Sequence, residues 1–504
     1  MKVKNFFTAL VVLALGGAVG GAAYLLPAPP ATEKELPGVA AADGTISLIC
    51  TGGAERLIPQ VGSTMQAEEK IQGWAGAFLS GVDLNAAAAT WIPGTNADKK
   101  AISSPVLGAD YTTKTGLQQP MLQGSILIKR GQADGASMSG GSAHLAQAGD
   151  LRGIANNPCR WASSAAWFVG GSVKIGEASR LFLVNPSPNP MLIHISQYTE
   201  KGKQELGSGS NINLAPHAAK TVSLDGILAD GERSALHVYS DSGFFAASLQ
   251  TNSLTGYTPR GIDFLDAGVS GKDLVIPGLH LPAGDSVTAE IPDAAARGEE
   301  SSLVAAGVKA SLRIVNTEEK TQEVRIFTID RSGKRAPLAG SEQVQVAGQA
   351  VLDLNLDGLK PGDYTLQLES GAAIAAGVQL AYETENGTDI AWLAAQPELK
   401  NSAAAFALGT GRLIMTPAAA GSTSLQWEAF DAAGKSLAKN ELTISGTSGI
   451  DLPDKTTYMN ITAERPLYGG VIVKADVAGG KGIDWLPLTP DIASSSSFSL
   501  HGVN

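Results

Sequence analysis

The chain has 504 residues, a net charge of −11, 44% hydrophobic and 17% charged residues, so it is globular, and its length implies roughly three to four domains of about 100–150 residues. Gly 59 and Pro 25 favour a turn-rich, mainly β protein over a helical one. The acidic balance opposes phosphate backbones and anionic lipid heads, which excludes nucleic acid as an expected partner.

Lys2 and Lys4 precede an uncharged run from Phe6 to Leu26. As a helix that run would be about 31 Å long, enough for a hydrocarbon core of about 30 Å. Charge on the leading side alone predicts a cytoplasmic N-terminus with the rest outside. Residues 1–30 are therefore expected to be a signal anchor with a transmembrane helix, and residues 31–44 a Pro/Ala stalk. The alternative is a cleaved signal peptide and a secreted protein. Gly16, Gly17, Gly20 and Gly21 make small-xxx-small pairs suited to close helix packing against a membrane-protein partner or a second copy of the chain; the alternative is a glycine-rich export signal without one.

Residues 45–161 are expected to be an N-terminal β domain, with strand-like pieces at 46–49 and 125–129 and a short helix at 67–79. Cys50 and Cys159, the two cysteines, fit no redox or metal spacing and outside the cytoplasm read as one disulfide; two separate buried thiols are the alternative.

Three further stretches repeat one pattern. Apolar strands begin at Arg180, Ser311 and Arg412, and Gly-Lys turns follow at Gly202, Gly333 and Gly434. The interval from Leu181, Leu312 or Leu413 to its glycine is identical, as a duplicated hairpin requires. Leu224-Asp225-Gly226 recurs as Leu356-Asp357-Gly358, with Ile450-Asp451 a looser third. Strand pairs are expected next, 235–240 with 244–250, 364–369 with 373–380 and 458–463 with 467–474. Each unit closes on an aromatic signature: Gly261-Ile262-Asp263-Phe264-Leu265, Asp389-Ile390-Ala391-Trp392-Leu393 and Gly482-Ile483-Asp484-Trp485-Leu486. The predicted architecture is an N-terminal membrane helix followed by tandem antiparallel β-sandwich units of immunoglobulin-like size at 162–268, 269–396 and 397–490, the second with a polar linker near 282–298, and a flexible tail at 491–504. Phe264, Trp392 and Trp485 are expected in the core.

The motifs of nucleophilic, phosphate-binding and zinc-dependent enzymes are absent from the sequence. The six histidines are scattered, and His194 and His237 fall within strands. Asp263, Asp389 and Asp484 could pair for glycoside chemistry, but their recurrence favours a turn or capping role. The sequence therefore predicts no catalytic residue, no cofactor and no metal site.

Gly149-Asp150-Leu151-Arg152-Gly153, Pro158-Cys159-Arg160, Trp167-Phe168-Val169-Gly170-Gly171, Leu183-Val184-Asn185-Pro186, Ala235-Leu236-His237-Val238 and the run 254–261 together resemble an uncharacterised family of actinobacterial membrane-anchored proteins, a domain of unknown function. The resemblance covers most of the chain after the anchor and weakens in the third repeat, where Met415-Thr416-Pro417 replaces Val-Asn-Pro. It implies an exported envelope protein with an N-terminal anchor and one disulfide, here Cys50 and Cys159, in an accessory role in envelope glycan assembly. The expected function is thus a non-enzymatic extracytoplasmic scaffold or accessory subunit of the cell envelope. The alternatives are a cell-wall glycan-binding protein, for which Trp74, Trp91, Trp161 and Tyr257 are the candidate aromatics, and an envelope enzyme.

Overall fold

The computed structural model describes residues 45–55, 69–80, 87–91, 106–115, 123–129, 137–283 and 307–490, apart from 257, 357, 385, 386, 407 and 479. Within them the protein is mainly β, with a single-turn 3₁₀ segment at Ser208–Ser210 and no α-helix. No helix among the described residues is long and apolar enough to cross a membrane. The run 6–26, its glycines Gly16, Gly17, Gly20 and Gly21, the stalk, the expected linker 282–298 from residue 284 onward and the tail all lie outside the described residues.

The helix expected at 67–79 is instead the strand Glu69–Ser80. It pairs on both sides, with Val106–Thr115 and with Ser137–Ala146. Gly73 and Gly76 weaken a helix there, and pairing with two strands outweighs the helix-favouring Ala and Gln residues.

Pairing within the repeats also differs from expectation. The segments 364–369 and 373–380 are not a hairpin but parts of one strand, Gly362–Thr384. Its first half pairs with Gln322–Ile329 and its second half with Gly307–Asn316 and Gly387–Ala394. The third repeat does the same with Tyr458–Val477. In the first repeat the corresponding strands Ser234–Tyr239 and Ala246–Thr255 are separate and enter different sheets. A long strand can serve two groups of partners because each stretch of its edges needs only one neighbour at a time.

The Gly-Lys turns repeat for a local reason. Gly202, Gly333 and Gly434 have φ of 109°, 79° and 79°, in the region open to glycine.

Four units close on one another. The innermost strands are Gly153–Pro158, Thr258–Leu265, Gly387–Ala394 and Gly480–Pro487. Each lies against the next around a ring, and the last returns to the first. The cores interlock in the same sense. Trp392 of the second repeat enters the core of the first, beside Phe168 and Leu265. Ile414, Ile472 and Trp485 of the third enter the core of the second. Leu145 and Ile154 of the N-terminal unit enter the core of the third, and Phe264 packs on Ala54, Leu151 and Ala155 of the N-terminal unit. Phe264, Trp392 and Trp485 are thus buried, the two tryptophans in the core of the unit before their own.

Polar ties follow the same joints. Arg180 meets Glu55 at 3.2 Å, Arg412 meets Asp363 at 2.6 Å, and Arg152 donates to the Ala478 carbonyl at 2.7 Å. Cys50 and Cys159 form a disulfide that fastens the first N-terminal strand beside Arg160–Trp161, where the two strands share two paired residues. It is buried and constrains the unfolded chain over a long loop.

Candidate functional site

Each innermost strand pairs with its own sheet on one side only. Its other edge faces the ring centre, where alternate backbone N–H groups would be left without acceptors. One carboxylate meets them. The Ile154 amide donates to Asp389 Oδ2 at 3.0 Å, the Ile483 amide to the same oxygen at 3.1 Å and the Ile262 amide to Oδ1 at 3.3 Å; the Ile390 amide adds a fourth bond. These isoleucines hold equivalent places on the four strands. The residue before each is Gly153, Gly261, Asp389 or Gly482. A Cβ at Gly261 would stand 2.8 Å from Asp389 Oδ1, and one at Gly482 would stand 2.9 Å from Oδ2. The axis has room for one acidic side chain, and three glycines make that room.

One step along the strands, Asp263 and Asp484 form a second layer. Asp484 Oδ2 accepts from the Asn156 backbone and side-chain nitrogens, each at 2.6 Å, and Oδ1 accepts from the Trp485 amide at 2.7 Å. Asp263 Oδ2 accepts from the Trp392 amide at 2.8 Å. Burial and the Asp484 carboxylate beside it favour a proton on Asp263, whose Oδ1 has no hydrogen-bond partner among the described residues. Asp266, buried beside them, is bridged to Arg160 at 2.6 Å.

Burial raises all four acids. It pushes Asp389 well above the usual range against the pull of four amides. Burial and the neighbouring Asp484 carboxylate raise Asp263 strongly. Burial brings Asp484 to about 6 despite Asn156, and Asp266 to about 7 despite Arg160. The three recurrent aspartates therefore do not cap turns, as their recurrence suggested; they lie in strands and satisfy strand edges from neighbouring units.

The pH consequence has a definite sign. Between the unfolded carboxyl value of about 3.9 and the folded value of about 6 for Asp484, the folded state holds more protons than the unfolded one. Stability from this group is full below about pH 4 and is lost as pH rises toward 6. His144 and His237, both pushed down to about 4 by burial, act oppositely, since their stability is lost as pH falls below 6.5. We expect Asp484→Asn to gain stability relative to the parent chain as pH rises from about 4 to about 7, by a few kcal/mol. Urea denaturation at several pH values checks this, and a pH-independent difference would contradict it.

His144 and His237 each have a structural partner. His144 Nε2 bonds the Leu151 carbonyl at 3.1 Å, and His237 stacks between Trp167 and Tyr239. The described residues contain no group of His, Cys, Asp and Glu able to hold a metal. Of the aromatics considered for a glycan platform, Trp74 is buried against Tyr458, ring centroids 5.7 Å apart, and cannot present its face. Trp161 is partly buried and donates to the Pro490 carbonyl at 3.1 Å. The Trp91 side chain and Tyr257 lie outside what is described.

A cavity of about 470 Å³ opens between the first and second repeats. Thr251, Ser253 and Thr255 line one wall, Gln379, Thr388 and Arg313 the other, and Glu177 and Lys174 lie at its side. Arg313 crosses the joint, pairing with Asp353 at 2.8 Å and donating to the Ser234 carbonyl at 3.0 Å, with its guanidinium 4.9 Å from the Trp392 ring centre. No sequence motif marked this cavity, because its walls come from residues spaced by two along strands of different repeats.

Residues 116–455 match the model of a family described as a family of unknown function (DUF5719). The chain belongs to this family. No curated protein matches the chain. Among solved structures, the crystal structure of Thermotoga maritima 1070 is 19% identical with a TM-score of 0.19, covering 25% of this chain and 92% of that one. The Streptomyces avermitilis alpha-L-rhamnosidase complexed with L-rhamnose is 10% identical with a TM-score of 0.10, covering 83% of this chain and 55% of that one. At those scores neither likeness bears on this DUF5719 member's fold or activity.

Proposed function

We propose that this DUF5719 protein is a non-enzymatic extracytoplasmic scaffold or accessory subunit of the cell envelope that serves envelope glycan assembly. In this reading residues 6–26 hold it to the membrane, and its units are two-layer β-sandwiches. The observation that carries the reading is how the recurrent acids are used. Asp263, Asp389 and Asp484 are wholly buried and are bonded to backbone amides of neighbouring units. Acids so placed join the units into one body, as suits a scaffold, and have no path to a substrate.

Cross-linking the tagged full-length chain in membranes of its host, followed by affinity capture, is expected to recover the same envelope membrane protein in repeated preparations. A chain that stays in the membrane fraction yet captures no recurring partner sinks the scaffold reading.

A further inference from the structure

The joint between the first and second repeats differs from the equivalent joint between the second and third. Strand registers align the units residue by residue: Leu181 sits opposite Leu249, Leu312 opposite Val378 and Leu413 opposite Val471. In that alignment Thr251 of the first repeat corresponds to Leu380 and Val473, and Ser253 to Tyr382 and Ala475. Leu380 is buried in its unit's core with Tyr382 packed against it, and Val473 and Ala475 are likewise core residues. The opposite wall shows the same exchange. Arg313 and Gln379 of the second repeat correspond to Ile414 and Ile472 of the third, and both isoleucines fill the core of the second repeat. One joint is closed with apolar side chains, while the other carries hydroxyls, a guanidinium, an amide and a cavity at the same positions.

Packing does not explain the exchange, since the apolar version already closes a joint in this molecule. Cavities of about 300–1,000 Å³ with convergent polar groups are the usual form of small-ligand sites. The charges identify the ligand class. Lys174 pairs with Glu232 at 3.2 Å, Arg233 with Asp353 at 3.5 Å and Arg260 with Glu383 at 3.9 Å. Arg313 shares Asp353, and Glu177 accepts from Ser253 Oγ at 2.8 Å. Four cations and three carboxylates line the cavity, and Glu383, which is not part of the lining, is shared with Lys309; each lining cation is already held in an ion pair, so none is left free to select an anion. What remains is a dense set of groups that both donate and accept hydrogen bonds, with little apolar surface. A neutral ligand rich in hydroxyls matches that set.

We propose that the cavity between the first and second repeats is a binding site for a neutral saccharide of one or two rings, held by Thr251, Ser253, Thr388, Gln379 and Glu177. The site does not depend on the scaffold reading, since a chain that captures no protein partner would still bind sugar here.

The test titrates the purified full-length chain, in a detergent without a sugar headgroup, with a panel of neutral mono- and disaccharides, and in parallel with inorganic phosphate and a neutral tripeptide. Calorimetry is expected to show saturable binding of at least one saccharide. The double variant Thr251→Val, Ser253→Ala installs the residues of the third repeat and is expected to weaken binding by at least about tenfold. Because that variant alters buried positions, Thr255→Trp at the exposed mouth provides a second measure; it leaves the core untouched and is expected to abolish binding. Saccharide binding unchanged in Thr255→Trp, a preference for phosphate or the tripeptide, or no saturable saccharide in the panel would each overturn the assignment.

Discussion

Replacing Asp389 by alanine is expected to cost most of the stability of the folded chain. The substitution strips the acceptor from the amides of Ile154, Ile262 and Ile483, which sit on three different units, and from that of Ile390. A buried donor without a partner costs about 1–3 kcal/mol, so three inter-unit losses amount to roughly 3–9 kcal/mol. That is comparable with a typical total stability of about 5–15 kcal/mol. Water entering the small void would offset part of the loss. Asp389→Asn keeps one acceptor oxygen but turns an NH₂ group toward backbone donors, so it should fall between the parent and alanine. Urea denaturation followed by tryptophan fluorescence ranks the three chains. If Asp389→Ala unfolds within about 1 kcal/mol of the parent, the carboxylate is not what satisfies the inner strand edges, and the account of the ring centre fails.

How much of this could be read in the sequence depends on whether the cause is local. The repeats were visible because hairpins fix their own spacing: Gly202, Gly333 and Gly434 each take a positive φ at the same point of the pattern. The disulfide was visible because Cys50 and Cys159 had no other cysteine to pair with. The sequence marks Phe264, Trp392 and Trp485 as core residues, but not the crossing of the tryptophans into the preceding unit, which depends on how units abut. The axial site was half visible. The Gly-Ile of the closing signatures was legible as a pattern, yet its reason, room for one side chain of another unit, appears only when four strands meet. Asp389 stands two places before the position of Asp263 and Asp484, and that offset is the trace such a layer leaves in sequence. The strand Glu69–Ser80 reads as a helix in the sequence because its composition suits one and its two partner strands lie far along the chain. The cavity was invisible until registers allowed Thr251 to be compared with Leu380 and Val473.

Trp485→Ala tests whether the units unfold as one body. The indole is almost fully buried and belongs to the core of the second repeat although its strand belongs to the third. Its fit is tight: a Cβ on Gly278 would lie 2.6 Å from Nε1, and Gly278 has φ of 88°. Removing a buried tryptophan commonly costs about 3–5 kcal/mol through lost burial and the cavity left behind. The loss should be shared by two repeats, because the residue is covalently part of one and packed in the other. We therefore expect a single calorimetric transition in the parent chain, and in Trp485→Ala a lower transition that takes the second and third repeats together. Cooperative units coincide with packed cores rather than with sequence boundaries. If the variant instead melts the third repeat alone, with the second unchanged, the interlocking of cores around the ring does not couple the units. If the parent chain shows separate transitions for each repeat, the ring is an assembly of independent domains, and the buried acids at its centre would have to be explained without reference to closure.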